Sequence, residues 1–362
     1  MKGRALSDRY EIQAELGRGG MGVVYRAHDP ILDRDVAIKV LTKSSLSGHQ
    51  AEDRFRREAR LVARMDHPHI VPVHDFGDHD DSFFFVMPYL SGRTLRQVLD
   101  DGKASLGHLL EIAAQIADAL AYSHSQGVVH RDVKPANVMV LDARSGEPHV
   151  RVMDFGIAAA ESDLRLTQPG EIVGTFVYGS PEQLSDDEVG PASDLYSLGA
   201  MLYEMIAGHV PFDGKLARIV LRVLTERPTP LSELVDEVDP SLEALVASCL
   251  EKDVAERPAD AAQIGATLRD VRTRLAPAVR DRPADAVERA APRSAADTTS
   301  PTEPAFVGRE AIKERLLGHL AAAHEGSARL VLVAGEAGIG KTRLLQSFAA
   351  GVADDARVLR GR

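Results

Sequence analysis

"HRDVKPAN", residues 130–137, places a histidine, an arginine, an aspartate, a lysine and an asparagine within eight positions. "GVV" precedes it and "VMV" follows it. Both flanks ask for burial, while the segment between them carries groups that are costly to bury without partners. The reading that reconciles the two is a polar loop lining a cleft, held at each end by the core. Chemistry then has to account for the polar residues.

Working upstream, "LLEIAAQIADALAYSHSQGVV" sets Leu109, Ile112, Ile116 and Leu120 on one face of a helix. Gly127 is a natural stop for that helix. Downstream, "ANVMVLD" and "HVRVMDFG" read as two short strands with the turn "ARSGEP" between them. Nearer the start, "YEIQAELGRGGMGVVYRAHD" reads as two strands joined by a glycine-rich turn, with Gly17, Gly19 and Gly22 in G-x-G-x-x-G spacing. Glycine lets backbone approach a phosphate closely. The motif alone is weak because dinucleotide-binding folds share it, but a strand rather than a helix follows here. In "RDVAIKVL", Val36, Ile38 and Val40 take one parity of a strand, and Ala37, Lys39 and Leu41 take the other. Lys39 is therefore either a lysine snorkelling from an edge strand or a phosphate-binding cation directed into a cleft. The helix "AEDRFRREARLVARMDHPHIV" carries Phe55, Glu58, Val62 and Met65 on one face, so Glu58 needs a partner, and Lys39 is the candidate.

These residues together resemble the eukaryotic-type (Hanks-type) serine/threonine protein kinases of bacteria. The glycine-rich loop corresponds to Gly17–Val24, the strand lysine to Lys39 in "VAIK", and the helix glutamate to Glu58. The catalytic loop corresponds to "HRDVKPAN", the metal-binding triplet to "DFG" at 154–156, and the loop end to "GTFVYGSPE" at 174–182. "SDLYSLG" is similar to the central-helix motif, and Arg257 in "ERP" to the arginine that pairs with the loop-end glutamate, Glu182. Ser180 stands where the family usually has alanine. The likeness spans roughly residues 8–273, and five motifs occur in the family's order.

The resemblance implies an α+β, bilobal protein kinase fold with a small β-rich N-lobe and a larger helical C-lobe over 8–275. It implies ATP bound by Leu16, Gly17, Arg18, Gly19, Gly20, Met21, Gly22, Val24, Ala37 and Lys39. Asp132 would orient and deprotonate the substrate hydroxyl, and Lys134 would stabilise the transferring phosphoryl group while favouring serine/threonine over tyrosine. Asn137 and Asp154 would hold Mg²⁺, with Mn²⁺ as the alternative ion. Lys39 would hold the α- and β-phosphates and be held by Glu58. His130 is read as packing to fix the loop, and Asp194, in a very apolar helix, as bracing the loop backbone. Arg131 is read as regulatory, clamping a phosphate. Between Asp154 and Glu182 the hydroxyl residues are Ser162, Thr167 and Thr175. Thr175 is read as structural and Thr167 as the activating autophosphorylation site, which calls for a transient homodimer.

The bulk numbers set outer limits. Of 362 residues, 44% are hydrophobic and 27% charged, enough for a large globular region. The net charge of −11 and the lack of a basic run argue against a nucleic-acid partner. The single cysteine, Cys249, suits a reducing cytoplasm and reads as core filling. Neither a signal peptide nor an apolar run of about 18 residues is visible, so no membrane partner is expected.

Residues 276–305 are rich in Pro, Ala, Asp and Arg and read as a disordered linker, with an irregular helix as the alternative. Beyond it, "SARLVLVAGEAGIGKTRLLQSFAAG" sets Gly335, Gly340, Lys341 and Thr342 in P-loop spacing between a buried strand and a helix. With "FVGREAIKERLLGHL" ahead of it, the stretch 306–362 resembles the start of an AAA/STAND-type α/β P-loop ATPase domain. It is too short for a domain of about 100 residues or more, so the expectation is the front part of a longer protein or a truncated gene product. The leading function is protein kinase signalling. The alternatives are a kinase fold that only binds a partner, and a nucleotide-dependent regulator whose main switch is the P-loop region. No catalytic residue of the resembled family is missing, which argues against the first alternative.

Overall fold

The computed structural model describes residues 5–279, apart from 8, 20–21, 43–48, 81, 142–146, 156–175 and 186. The chain divides into two units, Met1–Ala291 and Pro292–Arg362, and every described residue lies in the first. Gly20, Met21, Ser162, Thr167, Thr175 and the P-loop residues Gly335, Gly340, Lys341 and Thr342 lie outside the described residues, as does residue 156 of the "DFG" triplet.

The first half of the described chain is a six-stranded sheet. Its strands are β1 (Ala5–Leu6), β2 (Tyr10–Gly19), β3 (Gly22–Asp29), β4 (Arg34–Thr42), β5 (Asp75–His79) and β6 (Ser82–Pro88), and helix α1 (His49–Val62) interrupts them. The spatial order is β1-β2-β3-β4-β6-β5, with every neighbouring pair antiparallel. Strand parity decides the faces. Val36, Ile38 and Val40 join Tyr10, Ile12, Tyr25, Ala27 and Val86 in one apolar cluster. Leu41 points the other way and packs with Ala59 of α1, Phe83 and Phe85. Lys39 shares that second face, in register between Val24 and Phe85. β4 lies inside the sheet, so the snorkelling edge-strand reading of Lys39 is removed. α1 ends at Val62, short of Met65, which is nonetheless buried.

The second half is helical: α2 (Leu95–Asp101), α3 (Leu106–Ser125), α4 (Pro181–Ser185), α5 (Pro191–Ala207), α6 (Leu216–Thr225), α7 (Pro240–Cys249) and α8 (Ala261–Val279). α8 continues past the boundary set at 275 on sequence grounds. A small antiparallel sheet, β7 (Gly92–Thr94), β8 (Val138–Leu141) and β9 (His149–Val152), lies beside them. The expected stripe of α3 is buried: Leu109, Ile112, Ile116 and Leu120 belong to the main core. Gly127 takes φ +71° just past the helix, a left-handed turn that suits glycine. α5 packs on α7 so closely that a Cβ on Gly199 would meet Cys249 Cβ at 2.4 Å. Cys249 is fully buried and acts as core filling, as its sequence context suggested.

Candidate active site

The catalytic-loop segment enters from α3 and leaves into β8, both rooted in the core. Between them Arg131 adopts φ +66°, and Asp154, just past β9, adopts φ +62°. Left-handed backbone at non-glycine residues costs on the order of 1–3 kcal/mol each and persists only where surrounding contacts hold it. Those contacts are present. Asp194 of α5 is fully buried, and its carboxylate accepts the backbone N–H groups of His130 and Arg131, each at 2.8 Å. His124 Nε2 lies 2.8 Å from the same carboxylate. His130 is also fully buried and packs on Phe155 with ring centroids 4.5 Å apart. Its Nε2–H donates to Met153 O at 2.9 Å, and its Nδ1 accepts the Asp132 N–H at 3.2 Å, which fixes the tautomer. Both residues thus hold the loop and stand away from chemistry, as read from sequence.

Asp194→Ala leaves two buried N–H donors without an acceptor. The expected loss is about 3 kcal/mol of unfolding free energy, measurable as a lower urea midpoint at unchanged slope.

On this frame sits Asp132, 7% exposed. Its carboxylate lies 2.8 Å from Lys134 Nζ and accepts from Asn137 Nδ2 at 3.0 Å. Asn137 Nδ2 also donates to Asp132 O at 2.9 Å. Committing the amide nitrogen inward leaves the Asn137 amide oxygen as the atom that can face a cation. Asn137 O accepts the Met153 N–H at 2.9 Å, tying this residue to the position just before Asp154. An amide oxygen and a carboxylate make a hard donor pair that suits a small divalent cation completing its shell with phosphate oxygens and water. The residues therefore fit the divalent ion that the family uses. Among the described residues, no cluster of three or more His, Cys, Asp or Glu could hold a metal by itself.

Lys39, 5% exposed, pairs with Asp154 at 3.0 Å. Burial acts to raise the Asp154 carboxyl, but the Lys39 ammonium, with smaller help from Lys134, outweighs it and holds the group below the usual carboxylate range. This differs from the sequence expectation, which gave Lys39 to Glu58. Glu58 Oε1 instead lies 3.6 Å from Arg131 Nη1, so the arginine read as a phosphate clamp engages the helix glutamate. The difference is a matter of reach. β4 aims Lys39 across the cleft at the chain leaving β9, whereas the catalytic loop presents Arg131 to α1.

Of the glycine-rich segment, β2 and β3 supply Gly17, Arg18, Gly19, Gly22 and Val24 in paired register, with Gly19 opposite Gly22 and Leu16 at a register shift. Gly22 takes φ +138°, and a Cβ there would meet Val40 O at 2.1 Å, so glycine is required. Ala37 lies on the same face of β4 as Lys39.

Sequence reading missed three features. A cavity behind Asp154 and Phe155 is lined by Val62, Val71, Val73, Phe85 and Met87. Glu204 of α5 accepts from the Tyr178 hydroxyl at 2.6 Å and from Arg96 at 2.8 and 2.9 Å. Burial first, then the Glu204 carboxylate, pushes the Tyr178 phenol far up. The signal was available, because Glu204 is, with Asp194, one of only two acids in the apolar helix α5. Gln183 bridges to the catalytic loop, and no sequence pattern marked it.

A six-stranded antiparallel sheet and a helical half, with Lys39, Asp132, Asn137 and Asp154 gathered between them, define a cleft of the protein kinase type. The protein kinase domain family matches residues 10–267, and the chain belongs to that family. Its members use ATP and a divalent metal ion and act on proteins. The chain is 43% identical over 258 residues to a probable serine/threonine-protein kinase of Streptomyces coelicolor, covering 69% of this chain and 38% of that protein. It is 42% identical over 270 residues to the serine/threonine-protein kinase PknB of Mycobacterium leprae, covering 73% of this chain and 43% of that protein. The crystal structure of the Mycobacterium tuberculosis PknI kinase domain superposes with a TM-score of 0.60 at 28% identity, covering 75% of this chain and 98% of that one. The chain thus spans about two-fifths of the length of these two curated relatives. A second family, described as AAA ATPase domain, matches residues 305–362. No helix among the described residues is long and apolar enough to cross a membrane.

Proposed function

We propose that this chain transfers the γ-phosphoryl group of ATP to serine and threonine hydroxyls of proteins, in cytoplasmic signalling. The observation that carries the reading is the Asp132 carboxylate, buried beside Lys134 and Asn137 on a backbone braced by Asp194. Asp132 accepts the hydroxyl proton as the oxygen attacks phosphorus, and Lys134 steadies charge on the group in transfer. Lys39 holds the α- and β-phosphates. ATP lies under the glycine-rich loop, against Leu16, Gly17, Arg18, Gly19, Gly20, Met21, Gly22, Val24 and Ala37. Asn137 and Asp154 would hold Mg²⁺, which when bound neutralises phosphate charge. Electrostatic positioning of this kind is the main contribution a protein makes to phosphoryl transfer.

Thr167 is the activating site, phosphorylated between molecules in a transient homodimer, while Thr175 is structural. A phosphate on Thr167 would carry close to two negative charges and draw Arg131 from Glu58, releasing Glu58 toward Lys39. Gly335, Gly340, Lys341 and Thr342 form a second nucleotide site. A single buried thiol suits the reducing cytoplasm.

Asp132→Asn tests the reading. Transfer from labelled ATP should fall about 10²–10⁴-fold, with ATP affinity changed far less, because the base acts on the acceptor hydroxyl. Loss of ATP binding in step with turnover would remove Asp132 from that role. Mass spectrometry of the same two proteins should find phosphate on Thr167 only in the wild type. Thr167→Ala with unchanged specific activity would end the proposal for that site.

A further inference from the structure

The Arg131–Asp132 peptide is the backbone unit that aims the base, and it follows a residue in left-handed conformation. Four hydrogen bonds hold the backbone N–H groups of residues 130–132 and the Arg131 carbonyl. Asp194 takes the N–H groups of His130 and Arg131, and His130 Nδ1 takes that of Asp132. The fourth comes from elsewhere: Gln183 Nε2 donates to Arg131 O at 2.7 Å. The first three acceptors lie in α5 or in the catalytic loop itself. Gln183 lies in α4, at the end of the segment that Tyr178 and Glu182 anchor to the helical half.

The other end of the same amide is equally committed. Gln183 Oε1 accepts the Ser180 N–H at 3.0 Å and the Ser180 hydroxyl at 3.2 Å, and Ser180 is fully buried. These two donors fix which way the amide points, because a flipped amide would set its NH₂ against the Ser180 N–H. Ser180, the departure from the family's alanine, therefore adds a second donor that locks Gln183.

We propose that Gln183 is a positioning residue for the transfer step, whose amide clamps the Arg131–Asp132 peptide to the substrate-docking segment and so couples seating of that segment to the aim of the Asp132 carboxylate. The inference rests on Asp132 being the base. It assigns Gln183 an effect on turnover that is separate from nucleotide binding, because no atom of the clamp belongs to the glycine-rich loop or to Lys39.

The test uses the full chain, with dephosphorylated casein and the chain itself as acceptors. Gln183→Met keeps the length and removes both hydrogen-bonding ends. Gln183→Glu keeps an acceptor for Ser180 but sets a carboxylate against the Arg131 carbonyl. Turnover should fall about tenfold in the methionine variant and further in the glutamate variant, a tenfold change being about 1.4 kcal/mol in barrier. ATP affinity should stay within about twofold. Should the methionine variant fail to fold, the glutamate variant decides on the same readings. Turnover within about twofold of wild type, or turnover, ATP affinity and melting temperature falling together, overturns the inference. A wild-type chain that transfers no phosphate overturns the reading beneath it and the inference with it, whereas an active wild type matched by Gln183→Met overturns the inference alone.

Discussion

Lys39→Met is expected to cut phosphoryl transfer by at least about a hundredfold while leaving the protein folded. The lysine is buried on the α1-facing side of β4, in register with Val24 and Phe85, so an unbranched methionine can occupy its volume. What disappears is the ammonium 3.0 Å from Asp154. Burial already acts to raise the Asp154 carboxyl, and Lys39 is the largest influence opposing it. The variant therefore loses a cation for the phosphates and also leaves Asp154 less readily charged. Transfer of labelled phosphate to the chain and to casein reads the first effect, and a urea melt checks the fold. Retained activity within about tenfold of wild type, about 1.4 kcal/mol of barrier, would take Lys39 out of the site.

Arg257→Ala is expected to produce the largest loss of stability, about 3–5 kcal/mol at neutral pH. Arg257 and Glu182 are both buried and form a bidentate pair at 2.7 and 2.9 Å. Ser193 donates to the same carboxylate at 2.6 Å, and Arg257 also donates to Ala192 O and Glu251 O, each at 2.9 Å. Burial acts to raise the Glu182 carboxyl, yet hydrogen bonds from Arg257 and Ser193 carry it below its ordinary 4.5. A depressed folded-state value contributes stability that is present above the ordinary carboxylate pKa and lost as the pH falls through the folded value. In the variant the main opposition to burial is gone, the carboxyl rises, and part of the penalty should be relieved by protonation. The difference in unfolding free energy between wild type and variant should therefore be larger at pH 7 than at pH 5. A difference under about 1 kcal/mol at pH 7, the range of an exposed pair, would show that the pair does not hold the loop end.

Local rules carried much of this protein. Alternation along 36–41 put Lys39 on the face opposite Val36, Ile38 and Val40, and that is where it lies. The helical stripe of Leu109, Ile112, Ile116 and Leu120 is core. An acid in the apolar helix that holds Asp194 implied buried donors nearby, and two backbone N–H groups supply them. Each of these follows from a period of 2 or 3.6 residues or from the cost of burying a charge, properties a short window of sequence already contains.

Which partner each buried group takes belongs to the tertiary structure. Lys39 meets Asp154 across the cleft, and Glu58 meets Arg131. Tyr178, Glu204 and Arg96 converge from positions 26 to 108 residues apart, and Gln183 reaches a carbonyl 52 residues away. Periodicity says which way a side chain faces along its own element. It holds no information on how far one element is displaced along another. A shift of a few ångströms between α1, β4 and the catalytic loop is enough to exchange one ion-pair partner for the next, because hydrogen bonds and ion pairs are lost over about that distance.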